Sequence, residues 1–189
     1  MAQTQYFPPS SYHHLLAELM HYWDPNPNKG EEYGDRLRRV LKGKKILEMG
    51  ARFGTFVEFL KKHGADAHGI ESNPHAVDLA EKNGIELIDA DAARHRSRIK
   101  FDAVVSHQFR DNDYWNDTHG RSQFLLTTIL DNVHGMLKPN GASIHTTLGR
   151  DSMAYPMKFW TTVDMKSLFN EERGTGRVSI SKRLESSQK

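Results

Sequence analysis

Residues 44–54 read KKILEMGARFG, a short apolar strand followed by a turn that holds Gly50 and Gly54. Glycine allows left-handed backbone conformations and close approach of a ligand to the main chain. Residues 53–64 (FGTFVEFLKKHG) then have the apolar spacing of an amphipathic helix. A strand, a glycine-containing turn and a helix in this order predict a ligand site at the end of the strand, where the first N–H groups of the helix are available.

The alternation of strand and helix continues along the chain. Strands are predicted over residues 44–50, 67–72, 85–92, 101–109 and 142–148, and helices over 53–64, 73–84 and 124–141, the last stopped by Pro139, Asn140 and Gly141. Strands separated by helices of this length form right-handed βαβ crossovers. The pattern therefore predicts an α/β fold with a mostly parallel sheet.

Both ends of the chain lie outside this pattern. Residues 1–11 are predicted to be an irregular arm, residues 12–23 a helix capped by Ser10 or Ser11, and residues 31–41 a second helix. We expect residues 1–43 to form an arm and lid-like helices on a domain of residues 44–189, the whole being one globular unit. In the tail, a helix is predicted over 161–172 and a strand over 177–184.

Composition limits the classes of function. The 189 residues carry a net charge of +2 and no cysteine, which excludes disulfides and thiolate metal sites. His14 and His21 share a helical face, but no carboxylate completes a metal site. With no apolar segment of about 20 residues, neither a membrane span nor a signal peptide is predicted. We expect a soluble, cytoplasmic protein, and interpret the basic stretch at 94–100 as a solvated loop.

The acidic and glycine positions resemble those of the class I S-adenosylmethionine-dependent methyltransferases. That family's first motif, acidic-x-Gly-x-Gly-x-Gly, is matched by Glu48, Gly50 and Gly54; Glu71 ends the second strand, and Asp91-Ala92 follow the third. Residues 101–106 (FDAVVS) and 137–141 (LKPNG) are similar to later family segments, so the resemblance covers residues 44–148. It implies a three-layer Rossmann-like fold, with helices on both faces of the sheet and an antiparallel C-terminal strand.

The resemblance also implies roles for individual residues. Glu48 would orient the methionine part of S-adenosylmethionine, beside the backbone of the turn formed by Gly50, Ala51, Arg52 and Gly54. Glu71 would hold the ribose hydroxyls, with Ser72 bordering the adenine. Asp91 would take the adenine amino group while the Ala92 N–H faces the ring. Ser106 would lie near the methyl-bearing sulfur, and His107 is the candidate general base.

Arg52 replaces the middle glycine of the motif. Its side chain can point to solvent, pair with Glu48 or the cofactor's carboxylate, or obstruct the pocket; in the last case the chain would be a catalytically inactive binding protein. A nicotinamide dehydrogenase fits worse, because its turn needs glycine at positions 52 and 55. A further alternative is an RNA methyltransferase that uses the basic stretch at 94–100.

The acceptor is expected to be a small molecule. Residues 106–109 read SHQF, not the Asn-Pro-Pro-Tyr type of amino-group methyltransferases, which argues against adenine-N6 or glutamine-amide acceptors. Aromatic residues of the first helix (Tyr12, Tyr22, Trp23) and of the 111–120 loop (Tyr114, Trp115) are candidates for a lid over a small or aromatic acceptor. For Tyr22 and Trp23, packing of the helix on the sheet is the favoured interpretation. The chain is expected to be a monomer or a homodimer.

Overall fold

A β-sheet whose strands alternate with helices along the chain forms the centre of the molecule. The structure, a computed structural model, describes residues 12–92, 94–107, 132–148 and 157–158. In chain order its elements are α1 (His13–Trp23), α2 (Tyr33–Leu41), β1 (Lys45–Met49), α3 (Thr55–Lys62), β2 (Asp66–Glu71), α4 (Pro74–Lys82), β3 (Ile88–Asp89), β4 (Phe101–His107), β5 (Leu137–Leu148) and β6 (Met157–Lys158). Residues 132–136 are also helical.

The strands lie in the order β3-β2-β1-β4-β5-β6. All pairings from β3 to β5 are parallel, which confirms the predicted parallel sheet. The two residues of β6 pair antiparallel with Thr147 and Leu148 at the end of β5. The antiparallel C-terminal strand predicted at 177–184 lies outside the described residues, as does the helix predicted at 161–172. After β1, the chain adds β2 and β3 on one side of β1 and then β4, β5 and β6 on the other side.

The two faces of the sheet bury separate apolar clusters, because successive strand side chains point to opposite faces. Ile46, Ala103 and Val105 pack with the apolar residues of α1, α2 and α3 on one face. Leu47 and Val104 pack on the other face, together with Val133 and Met136 of the helical residues 132–136. This arrangement gives the predicted three layers, with helices on both faces.

Polar contacts hold α1 against the rest of the domain. Asp24, at the C-terminal end of α1, accepts hydrogen bonds from the guanidinium groups of Arg36 (3.0 Å) and Arg39 (2.9 Å) of α2. The Tyr22 hydroxyl donates to the Asn140 carbonyl oxygen of β5 at 2.9 Å. The helix is therefore fixed at its C-terminal end both to its neighbouring helix and to the sheet.

Three predicted boundaries were wrong. β5 begins at Leu137, so Pro139, Asn140 and Gly141 lie inside a strand and do not stop a helix at 141. Because the residue before a proline disfavours the helical conformation, the helix must end earlier than apolar spacing suggests. The Lys138 ammonium donates to the Asp102 carboxylate at 2.8 Å, and the β4–β5 register shifts between Phe101 and Ala103 to take up the extra residues.

The other two boundaries concern a strand and a helix. The third strand is restricted to Ile88–Asp89, because only Ile70 and Glu71 of β2 pair with it, whereas residues 85–92 were predicted. Tyr12 occupies the N-cap position of α1 without a side-chain cap; Ser10 and Ser11, predicted as caps, lie outside the described residues.

Candidate functional site

The carboxyl end of β1 lies where the order of the strands reverses, between β2 on one side and β4 on the other. In open α/β sheets, ligands bind in the crevice at such a switch point, outside the carboxyl ends of the strands. Residues 50–54, the glycine-containing turn predicted from the sequence, start directly after Met49 at this position. The structure therefore places the predicted glycine-containing turn at the switch point of the sheet.

The turn is built from left-handed backbone. Gly50, Arg52 and Gly54 have φ values of 72°, 51° and 71°. The N–H groups of Gly50 and Ala51 both donate to the Ile70 carbonyl oxygen of β2, at 2.9 and 3.0 Å. A Cβ atom at Gly54 would lie 2.5 Å from Ile85 Cγ2, so glycine is required there for conformation and for space.

Glu71 at the end of β2 is held in place by backbone donors. Its Oε2 accepts a hydrogen bond from the Arg52 N–H, and its Oε1 accepts from the N–H groups of Ser72 and Asn73, all at 2.9 Å. Each carboxylate oxygen has two lone pairs. The carboxylate is thus fixed beside the turn before any ligand arrives; Oε1 already accepts two hydrogen bonds, so acceptor capacity for a ligand hydroxyl remains on Oε2.

Glu48 is a carboxyl group with an unusual environment. Its side chain is 0% exposed, and neither oxygen makes a hydrogen bond of good geometry to a described residue. Burial raises the pKa of Glu48 to about 8; the neighbouring Tyr12 hydroxyl lowers it and the negative charge of Glu71 adds to the rise. Burying an ionised carboxylate without partners is very costly, so Glu48 is protonated at neutral pH.

Tyr12 covers this end of the sheet from α1. Its ring is stacked on Phe56 of α3, with centroids 4.5 Å apart and planes 8° from parallel, and tilted against His107 of β4 at 4.5 Å. Burial, and then the negative charge that Glu48 carries once it is ionised at higher pH, raise the pKa of the Tyr12 hydroxyl. The contact joins α1, α3, β1 and β4 at the site.

His107 lies at the carboxyl end of β4 and is half-buried. Burial and then the positive charge of Arg52 lower the pKa of His107, so its imidazole is neutral at pH 7. The Arg52 side chain is exposed, as expected for one that points to solvent. No ion pair joins it to Glu48 in the part of the chain that the structure describes.

The structure brings Glu48, Glu71, the 50–54 turn and His107 together. Ser72 is exposed beside Glu71, and Asp91 and Ala92 follow β3 at the same edge of the sheet. The Asp91 side chain is about half exposed and lies 3.7 Å from Arg94, whereas Ala92 is buried. Ser106 is buried next to Met49, on the face of the sheet opposite Glu48.

Two features of the site were missed by sequence reasoning. Gly69, inside β2, has no room for a side chain, since a Cβ atom would lie 2.8 Å from the Ala51 methyl and 2.9 Å from Val57 Cγ2. A glycine within a strand is the signal that could have found this close approach. The contact of Tyr12 with Glu48 leaves no local signal in the sequence, because the two residues are far apart along the chain.

Other kinds of site are not found in the described residues. Among them, no group of three or more histidine, aspartate or glutamate side chains could hold a metal ion. No described helix is long and apolar enough to cross a membrane.

Known proteins resemble the chain in sequence and in structure. No family model matches it. It is 25% identical over 144 residues to a ubiquinone biosynthesis O-methyltransferase of Coxiella burnetii, covering 69% of this chain and 53% of that protein. It is 33% identical over 76 residues to a tRNA (uracil(54)-C(5))-methyltransferase of Pyrococcus abyssi, covering 37% and 18%. The chain therefore spans about half the length of the ubiquinone enzyme and a smaller part of the tRNA enzyme.

Among solved structures, an S-adenosylmethionine-dependent methyltransferase from Mesorhizobium loti superimposes with a TM-score of 0.52 at 19% identity, over 80% of this chain and 64% of that one. An identity this low reports on the fold. In this chain, the turn after β1 and the acidic residues near the ends of β1 and β2 lie where the resemblance of the sequence implies them. The chain has the fold of the class I S-adenosylmethionine-dependent methyltransferases, the family that its sequence resembles.

Proposed function

We propose that this chain binds S-adenosylmethionine at the carboxyl ends of β1 and β2 and transfers its methyl group to a small-molecule acceptor. The observation that carries the proposal is the Glu71 carboxylate, which three backbone N–H groups fix beside a left-handed glycine turn at the switch point of the sheet. Such a carboxylate is suited to a ribose diol. The resemblance to methyltransferases in sequence and fold supports the same ligand.

The residues present fit this ligand. Glu71 would accept a hydrogen bond from the ribose diol at Oε2, with Ser72, Asp91 and Ala92 around the adenine. The buried carboxyl of Glu48, whose oxygens lack hydrogen bonds of good geometry, would pair with the cationic amino group of the methionine part, beside Gly50, Ala51, Arg52 and Gly54. Ser106 would lie towards the sulfur. S-adenosylmethionine itself supplies an electrophilic methyl group on a sulfonium.

At the acceptor side, we propose that His107 removes a proton from the acceptor where the reaction requires it. A neutral imidazole carries a lone pair on one of its ring nitrogens, which is the group a general base uses, and the lowered pKa of His107 favours that neutral form. Tyr12, at the N-cap of α1, would lie between the acceptor and Glu48, while the rest of α1 packs on the sheet. The lack of cysteine in the sequence favours a cytoplasmic location.

Titration calorimetry with S-adenosylmethionine and its product S-adenosylhomocysteine tests the cofactor. We expect both to bind, and Glu71→Ala to weaken binding roughly 10-fold, since one hydrogen bond to a charged group is worth about 1.5 kcal/mol. Glu81→Gln, an exposed change on α4, is the matched control and should bind as the unchanged chain does. Absence of binding at millimolar ligand would refute the proposal.

Binding without methyl transfer to any small-molecule acceptor would favour the alternative of an inactive binding protein. Two observations favour the second alternative, an RNA methyltransferase: the arginines of the 94–100 stretch are exposed, and a short segment resembles a tRNA enzyme.

A further inference from the structure

We propose that Tyr12 and Glu48 form a proton-linked gate: Tyr12 covers a protonated Glu48 in the free chain, and a ligand with a cationic head group moves Tyr12 aside and ionises Glu48. The inference rests on the proposed function, because it takes the ammonium group of S-adenosylmethionine or S-adenosylhomocysteine as that head group. It implies that ligand binding releases a proton and that the Tyr12 side chain moves.

In the free chain, the surroundings of the Glu48 carboxyl favour its protonated form. The side chain is completely buried, on the face of the sheet that packs against α1 and α3. No lysine or arginine among the described residues pairs with it, and its oxygens lack hydrogen bonds of good geometry. A carboxylate in such a place is far less stable than a carboxylic acid, so the free chain holds the proton.

The Tyr12 side chain covers the Glu48 carboxyl. Tyr12 begins α1, is 9% exposed, and is wedged between Phe56 of α3 and His107 of β4. Its hydroxyl lies close enough to Glu48 to act on the carboxyl. A ligand group can therefore reach Glu48 from this side only if the ring leaves its stack on Phe56.

A bound cation would change the protonation state of Glu48. The groups facing Glu48 are the neutral Tyr12 hydroxyl from α1 and the negative Glu71 from β2, while the Arg52 cation acts on Tyr12 and His107. None of these supplies a positive charge to Glu48. An ammonium group at hydrogen-bond distance would favour the ionised form, so the O–H bond of the Glu48 carboxyl breaks and its proton passes to the buffer.

Calorimetry in buffers of different ionisation enthalpy measures this proton. S-adenosylhomocysteine is titrated at pH 6.5, where its amino group, with an ordinary pKa of about 8, is already protonated. We expect close to one proton released per ligand bound. Adenosine, which lacks the cationic head group, should release none. Glu48→Gln should bind S-adenosylhomocysteine more weakly and release none.

Tyr12 variants test the gate, with circular dichroism to verify folding. Tyr12→Ala should bind faster in stopped flow and release fewer protons, because Glu48 is then hydrated and partly ionised beforehand. Tyr12→Phe keeps the ring and should retain most of the proton release. Unchanged kinetics and proton release in Tyr12→Ala would overturn the gate.

The two proposals fail in different ways. If S-adenosylhomocysteine binds without releasing a proton, or if Glu48→Gln releases as many protons as the unchanged chain, the proton-linked gate is refuted and the proposed function stands. If neither S-adenosylmethionine nor S-adenosylhomocysteine binds, both are refuted.

Discussion

The Glu48 carboxyl makes the stability of the protein depend on pH. Its pKa is raised from 4.5 to about 8 in the folded chain, so between these pH values the folded state holds a proton that the unfolded state lacks. Stability therefore falls as pH rises through this window. Because one pKa unit corresponds to about 1.4 kcal/mol, the free energy of unfolding should fall by about 2 kcal/mol between pH 5 and pH 7 from this group.

Urea unfolding of the unchanged chain and of Glu48→Gln at pH 5, 6 and 7 measures this effect. Glutamine does not titrate, so the difference in unfolding free energy between the two proteins should change by that amount, with the unchanged chain losing stability at higher pH. Glu81→Gln, at an exposed site of α4, should give a difference that does not vary with pH. A constant difference for Glu48→Gln would mean that Glu48 is ionised in the folded chain.

Gly54 and Gly84 offer a matched pair for the turn after β1. Both have left-handed backbone, with φ values of 71° and 74°, but a Cβ at Gly54 would meet Ile85 at 2.5 Å, whereas one at Gly84 has nothing within 4 Å. Alanine at either site loses about 1 kcal/mol to the left-handed conformation. Gly54→Ala should lose a further 1–3 kcal/mol, roughly, to overpacking. Chemical unfolding of both variants measures the excess, and equal losses would contradict the close approach.

At the scale of elements, Asp24 is the residue that joins α1 to α2. It accepts hydrogen bonds from Arg36 and Arg39, and those guanidinium groups, Arg39 above all, lower the pKa of the Asp24 carboxyl. Asp24→Asn removes the charge while keeping the size of the side chain. We expect amide hydrogen exchange in α1 to accelerate, because the side chain no longer forms ion pairs with α2 and only weaker contacts remain, such as the hydrogen bond from Arg36 to the Asp24 carbonyl oxygen.

Asp35→Asn is the control for this change. Asp35 pairs with Arg38 within α2 alone, and both side chains are well exposed, so its loss should leave exchange in α1 unchanged. If Asp24→Asn also leaves α1 unchanged, the Tyr22–Asn140 hydrogen bond and the buried apolar residues of α1 suffice to hold the helix.

Elements that follow a local rule could be predicted from the sequence. Strand β4 contains the apolar run 103–105 and ends in polar residues, and β1 leads directly into the glycine turn. Helices α3 and α4 begin after Gly54 and Asn73 and end shortly before glycines. Pairing lengths follow no local rule, which is why β3 was predicted too long. Likewise, β5 begins before Pro139 because the Asp102–Lys138 contact and the register shift of β4 depend on packing between strands.

At the scale of the whole molecule, some residues of the candidate site could likewise be predicted from the local sequence and others could not. The turn residues and Glu71 are close in sequence to the strands that place them, so the motif was sufficient to find them. Tyr12 is distant in sequence from Glu48 and reaches it only because α1 packs across the sheet on the face that Glu48 also occupies. A carboxyl predicted as a ligand group is thus also covered in the free chain, which no local pattern could indicate.

The distribution of charge over the molecule decides between a small-molecule and an RNA acceptor. The net charge is only +2, and Arg94 lies 3.7 Å from the acidic Asp91, which offsets part of the basic stretch that continues with Arg96 and Arg98. Proteins that bind RNA through phosphates carry a concentrated basic surface and lose affinity steeply with salt. We expect only weak binding of a structured RNA at 150 mM salt, with a dissociation constant above about 100 µM.

Replacing Arg94, Arg96 and Arg98 by glutamine should leave the dissociation constant for S-adenosylhomocysteine within about twofold, since these exposed side chains lie outside the Glu48–Glu71 site. Fluorescence anisotropy with a labelled tRNA, measured from 50 to 300 mM salt, tests whether the chain binds RNA. If the unchanged chain binds tRNA with micromolar affinity, and the triple variant reduces the slope of log affinity against log salt by about 3, those arginines contact phosphates. In that case the acceptor would be RNA, and the small-molecule assignment would be wrong even though the cofactor site is unchanged.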